Sequence, residues 1–150
     1  MADENVRALV LSYRAGIEAT GAAMSCEGID AACSACARRH PSGCCFSGIE
    51  SGFDEILLLL NLLMGCPLPE ARHMEGSCFF VGENGCRLLA RYYFCLHYFC
   101  PELENALGEV RMRALRRQVD RQLLAGWKAE NAVRSWIRAR KETLPDEDFP

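Results

Sequence analysis

The residues able to do chemistry here are ten cysteines, Cys26, Cys33, Cys36, Cys44, Cys45, Cys66, Cys78, Cys86, Cys95 and Cys100, confined to one 75-residue stretch. Cys33-Ser34-Ala35-Cys36 is followed, after seven residues, by the adjacent pair Cys44-Cys45. A Cys-x-x-Cys step suits a metal because a tight turn aims both sulfurs at one point, with Zn–S near about 2.3 Å. Adjacent cysteines diverge and rarely ligate one mononuclear site, so a dinuclear site, or two sites close together, would use both. The second group is Cys78, Cys86, Cys95 and Cys100. Were residues 86 to 100 one straight helix, its end cysteines would lie about 21 Å apart, and Cys86 and Cys95 would face opposite sides. A site shared within this group therefore requires a break in that segment.

Thiols also serve as small apolar core residues. Eight gathered in two groups favour ligation instead: Cys33, Cys36, Cys44, Cys45, Cys78, Cys86, Cys95 and Cys100 are the candidate metal ligands. Cys26, Cys66 and His97 are secondary candidates. Cys66 suits core as well as ligation, and His97, inside the aromatic run RYYFCLHYFC, reads more simply as a packed helix residue. His40 and His73 read as solvated. No nucleophile-elbow, phosphate-loop, dinucleotide or zinc-protease motif appears, and Glu27, Asp30, Glu50 and Glu75 form no acid and base pair, so the sequence assigns no reaction.

The chain has 150 residues, half of them apolar, with a net charge of −3. That is enough to bury a core in one domain spanning 1–150 without disulfide staples. The first residues carry Asp3 and Glu4 where a secretion signal carries positive charge. A cytoplasmic setting follows as an expectation, and in a reducing compartment clustered cysteines favour metal over disulfides. The apolar run Ile56 to Met64 is about half the roughly 20 residues a membrane helix needs, so no membrane association is expected.

The order Cys33-x-x-Cys36, Gly43-Cys44-Cys45, Gly48-Ile49-Glu50, Cys78-Phe79-Phe80, Gly85-Cys86 and Arg91 before Cys95 resembles the YkgJ-type zinc- or iron-chelating domain over about residues 26–100. It departs in the seven-residue spacer before the cysteine pair and in Tyr92, where that family has proline after the arginine. The resemblance implies metal binding and no settled reaction.

The elements that must position these sulfurs read as mostly α: a small helical domain with irregular cysteine-rich metal-binding loops and a C-terminal helical hairpin. Val6, Leu9, Val10, Tyr13 and Ile17 recur at helical steps over 3–24, whereas 26–53 is rich in Gly, Ser and Cys and reads as a metal-organised loop. Asp54 to Met64 reads as a core helix stopped by Gly65, and Val81 to Gly85 as a tight turn. From 102 to 141, Leu103, Leu107, Val110, Leu115, Val119 and Leu123, then Val133, Trp136 and Ile137, mark two helices broken at Gly126. The tail LPDEDFP is expected to fray.

Residues 110–141 carry ten Lys or Arg against Asp120 and Glu130. Without base-reading or interleaved aromatic residues, this is a helix's wet face more than a nucleic-acid surface. The apolar stripe with Trp127 and Trp136 suits core, or a protein partner or second copy of the chain. The leading expectation is a module holding zinc, or iron, through thiolates. An iron–sulfur protein with an electron-transfer or redox role, and an interaction or structural protein with incidental thiols, are the alternatives.

Overall fold

The computed structural model describes residues 2–39 and 43–142, and it is mostly helical. Its elements are α1 (Ala2–Cys26), α2 (Ile29–Arg39), a 3-10 turn (Ile49–Gly52), α3 (Glu55–Leu63), β1 (Val81–Gly82), β2 (Gly85–Cys86), α4 (Tyr93–His97) and α5 (Pro101–Lys141). His40, the Pro41-Ser42 turn and the acidic tail fall outside the described residues. Among those described, no helix is long and apolar enough to cross a membrane.

The first expected helix is present as α1. The core helix is present as α3, where the Asp54 side chain accepts a hydrogen bond from the Leu57 amide at 2.8 Å, satisfying an amide that the first helical turn leaves open. β1 and β2 pair antiparallel, with Val81 opposite Cys86, which realises the expected turn.

Two expectations are corrected. The stretch after Cys26 is not an irregular loop throughout: residues 29–39 form α2, so Cys33 and Cys36 stand on a helix, three residues apart on one face. Alanines at 31, 32, 35 and 37 favour this, since alanine gives up no side-chain freedom in a helix.

The C-terminal helical hairpin is likewise replaced by one 41-residue element, α5, kinked at Gly108 and continuous through Gly126. Gly108 has φ 74°, a conformation glycine adopts without steric penalty. The kink frees carbonyls from the helical ladder, and Arg111 takes them up: its Nε donates to the Leu107 carbonyl at 2.8 Å and its Nη2 to the Ala106 carbonyl at 3.0 Å. The break also puts the helical phase out, leaving Val110 82% exposed although its spacing placed it on the apolar stripe.

Gly126 serves a different purpose. A Cβ there would lie 2.9 Å from the buried Tyr13 ring, so its missing side chain is what lets α1 and α5 close together. Val10 and Tyr13 from α1 meet Ala129 and Val133 from α5 in a core completed by Phe53, Ile56, Leu60, Phe80 and Leu88. A second core joins Ile29, Leu96 and Phe99 to Leu107, Met112, Leu115 and Val119.

Gly126→Val is expected to lose about 1–3 kcal/mol through overpacking against Tyr13. Gly21→Ala, on an open face of α1 with no atom within 4 Å of the added carbon, should instead gain about 0.5–1 kcal/mol. Urea midpoints of the two variants check both signs; a neutral Gly126→Val would show that the close approach is not tight.

Candidate metal centre

Backbone and side-chain bonds bring the cysteine segments together. α2 leans on the hairpin through the Ser34 hydroxyl, which donates to the Asn84 carbonyl at 3.0 Å, and through Arg38 Nη1, which donates to the Glu83 carbonyl at 3.3 Å. The cysteine pair joins the next segment by an antiparallel bridge between Phe46 and Ser77. There the Cys78 amide donates to the Cys45 carbonyl at 2.7 Å and the Ser47 amide to the Gly76 carbonyl at 3.2 Å.

From Cys78 the chain turns into the hairpin, with the Val81 amide bonded to the Cys78 carbonyl at 3.1 Å and the Arg87 amide to the Phe80 carbonyl at 2.8 Å. Residues 87–92 then run without helix to α4, which carries Cys95, and Cys100 immediately precedes the first residue of α5. The segment from 86 to 100 is thus broken, as a shared site demands.

Asn61, fully buried, holds this return in place. Its Nδ2 donates to the carbonyls of Leu57 (2.9 Å) and Ala90 (3.0 Å), and its Oδ1 accepts from the amides of Leu89 and Ala90, both at 2.9 Å. It is a positioning residue that sequence reasoning passed over. Its signal was a lone polar residue in the run ILLLLNLLM. Arg72 and Arg87 brace the same region: Arg72 pairs with Glu50 at 2.6 Å and bonds the Ser77 carbonyl, and Arg87 donates to the carbonyls of Phe79 (2.8 Å) and Ala71 (2.9 Å).

The thiols perturb one another. Cys33 is pushed up to about 11, first by desolvation and then by the neighbouring Cys44, Cys100 and Cys36, with Arg91 acting against them. Cys95 is pushed up to about 12, again by desolvation first and then by Cys86 and Cys78, with Arg91 opposing and Cys44 adding a smaller push. Desolvation leads in raising Cys78 too, with Cys86 contributing. The Cys45 thiol donates a hydrogen bond to Cys44, which lowers Cys44 to about 6 and raises Cys45; desolvation and the nearby Cys86 and Cys95 raise Cys45 further. All eight favoured candidates therefore belong to one electrostatic neighbourhood. No disulfide joins any of them. Among the described residues, no three His, Cys, Asp or Glu side chains stand around one point closely enough to hold a metal ion.

The secondary candidates lie elsewhere. Cys26 is exposed at the end of α1, and Cys66 is buried in the larger core with its thiol 3.4 Å from the Arg87 carbonyl. His97 is exposed, not packed in a core, and its Nε2 lies 3.0 Å from Asp120 Oδ1. His73 is exposed, as expected. On the basic stretch, Arg111, Arg113, Arg116, Arg134 and Arg140 are engaged by Glu27, Glu109, Glu104, Asp54 and Asp3, which lowers the positive charge it offers a polyanion. Trp127 is 62% exposed, so it is not core. Trp136 donates to Asp3 and lies under the Arg140 guanidinium, 3.9 Å from its ring centroid.

The lowered, exposed Cys44 has a kinetic signature in the metal-free reduced protein. An ordinary thiol near about 8.5 is almost wholly protonated at pH 5.5, whereas Cys44 is partly thiolate. Allowing for the weaker nucleophilicity of a less basic thiolate, Cys44 should react with an aromatic disulfide roughly tenfold faster than an ordinary thiol at pH 5.5. Its rate should level off above about pH 7 where the others keep rising. Cys45→Ala removes the donor and should restore an ordinary profile; an unchanged profile would count against the hydrogen bond as cause.

No family model, curated protein or solved structure matches the chain. Its class is set by fold and composition: a mostly helical, cysteine-rich protein.

Proposed function

We propose that this protein is a metal-binding module that holds zinc, with iron as the alternative metal, through the clustered thiolates of Cys33, Cys36, Cys44, Cys45, Cys78, Cys86, Cys95 and Cys100. What supports this reading is that eight undisulfided cysteines, on α2, the 44–45 pair, the Cys78 and hairpin segment and the starts of α4 and α5, lie near enough to perturb one another's ionisation. Cys33, Cys78 and Cys95 resist ionisation first because they are desolvated and then because a neighbouring thiolate would repel theirs. A dication reverses that balance by supplying the opposing charge, and soft sulfur donors select zinc or iron over magnesium or calcium. The resemblance to YkgJ-type chelating domains points the same way. The departure from that pattern at Tyr92 leaves Arg91, beside both Cys33 and Cys95, in place.

Elemental analysis of protein purified without oxygen tests the reading. Colourless protein with stoichiometric zinc is the expected result. Brown protein with visible absorption would instead place an iron–sulfur cluster on the same cysteines. Absence of any stoichiometric metal would overturn the proposal and leave a protein with incidental thiols.

A further inference from the structure

We infer that this protein forms an antiparallel two-fold dimer through the outer face of α5, with Trp127 of each copy entering the groove beside the Gly108 kink of the other. No cysteine belongs to this face, so the inference stands independently of the metal-binding reading. The face is drawn by Val110, Arg113, Arg117, Asp120, Leu124 and Trp127, all exposed and recurring in steps of three and four along one side of the helix after the kink. Val110, Leu124 and Trp127, at 82%, 54% and 62% exposed, are the exposed large apolar residues of α5. Single exposed apolar residues are ordinary surface, but three on one stripe form a face that docks.

The kink supplies the other half of the contact. A groove of about 470 Å³ is lined by Glu104 and Asn105 before the kink and by Glu109, Met112, Arg113 and Arg116 after it. Arg116 donates to Glu104 and so ties the two stretches across the groove. These linings suit an indole ring: the Met112 thioether offers a soft apolar contact, and the guanidinium groups of Arg113 and Arg116 are attracted to an aromatic face.

The symmetry of the stripe selects a second copy as the occupant. Val110 and Trp127, Arg113 and Leu124, and Arg117 and Asp120 are each equidistant from a point midway between residues 118 and 119. Laid antiparallel about that point, two copies set Val110 beside Trp127, the stem of Arg113 beside Leu124, and Arg117 beside Asp120, every pair made twice as an isologous interface requires. Trp127 then comes level with Val110 of the other copy, next to the groove. Parallel pairing would instead oppose Arg117 to Arg117 and leave both grooves empty. Charge agrees with the antiparallel arrangement. Among the described residues, Arg117 has no carboxylate partner, and Asp120 gives one oxygen to His97 at 3.0 Å while its other oxygen has none. Arg113 and Arg116 are already engaged by Glu109 and Glu104, which limits repulsion between the faces. Arg121 and Lys128 stand at the edge of the stripe, where long side chains reach water.

Sedimentation equilibrium of the full chain tests the dimer, in reducing buffer so that exposed thiols cannot link copies. The expected result is a mass that rises with concentration to twice that of the chain. Trp127→Ala should raise the dimer dissociation constant about thirtyfold or more, since a buried Trp anchor is lost from both copies. Arg117→Asp and Asp120→Arg should each weaken the dimer about tenfold, whereas the double variant should recover most of the wild-type affinity, because the ion pair returns with its sign reversed. All three positions are exposed, so circular dichroism of the variants should match the wild type and the masses report association alone. A wild-type chain that stays monomeric throughout the concentration series overturns the dimer. A dimer indifferent to Trp127→Ala, or a double variant no tighter than either single one, overturns this face and alignment.

Discussion

Asn61→Leu is expected to destabilise the protein by roughly 3–5 kcal/mol, the largest effect of any single substitution considered. The replacement fills the space but makes no hydrogen bond, so the amides of Leu89 and Ala90 and the carbonyl of Ala90 all lose their Asn61 partner. A buried polar group left unsatisfied costs about 1–3 kcal/mol, and some relaxation toward water brings three such losses into the stated range. The Leu57 carbonyl is spared because it retains its place in the α3 ladder. Urea unfolding measures the loss, and a change below about 1 kcal/mol would show that residues 87–92 are held by packing alone. The substitution should also act on the candidate centre. With the return segment loosened, Cys86 and Cys95 should alkylate faster than in the wild-type protein, while Cys33 and Cys36 on α2 change little.

On the proposed metal-binding function, metal removal is expected to have the second large effect. A ligand present at about a thousand times its dissociation constant stabilises the folded state by roughly 4 kcal/mol, and a chelator withdraws that contribution. The loss should be local. The contact between α1 and α5 is made by Val10, Tyr13, Ala129 and Val133 around Gly126 and contains no cysteine. Hydrogen exchange should therefore quicken across residues 29–39 and 43–100 on chelation, while α1 and the part of α5 after the kink keep their protection. Affinity should weaken as pH falls, because protons compete for the same sulfurs. The thiols of Cys33 and Cys95, at about 11 and about 12, bind protons especially firmly. A chelator that leaves circular dichroism, the thermal midpoint and exchange untouched would remove the structural role assigned to the metal.

Local chemistry in the sequence was sufficient for several elements. The apolar steps of Val6, Val10, Tyr13 and Ile17 mark α1, Asp54 and Gly65 bracket α3, and Gly82 to Gly85 mark the hairpin turn, because caps, turns and periodicity act between near neighbours. The same holds for the need to break the chain between Cys86 and Cys100 if their sulfurs are to meet, which follows from helix geometry alone. α2 was less legible. Its Ala-rich stretch lies among Gly, Ser and Cys, and its contacts to Asn84 and Glu83 come from residues about fifty positions away.

Gly108 and Gly126 are alike as letters, and only tertiary structure distinguished them. Arg111 takes up the carbonyls freed at the first, while the Tyr13 ring packs over the second, making one a kink and the other a close contact. Asn61 could be noticed as a polar residue in an apolar run, but three of its four hydrogen bonds exist only once residues 89–90 fold back across α3. So the sequence by itself determined that the cysteines cluster along the chain, and it marked α1, α3 and the hairpin turn, since those depend on residue type and short spacing. Tertiary structure decided where each sulfur sits. Cys44 and Cys45 are bonded neighbours in the chain, yet one lies against the core and the other against solvent, and that difference arises only when separate segments pack together.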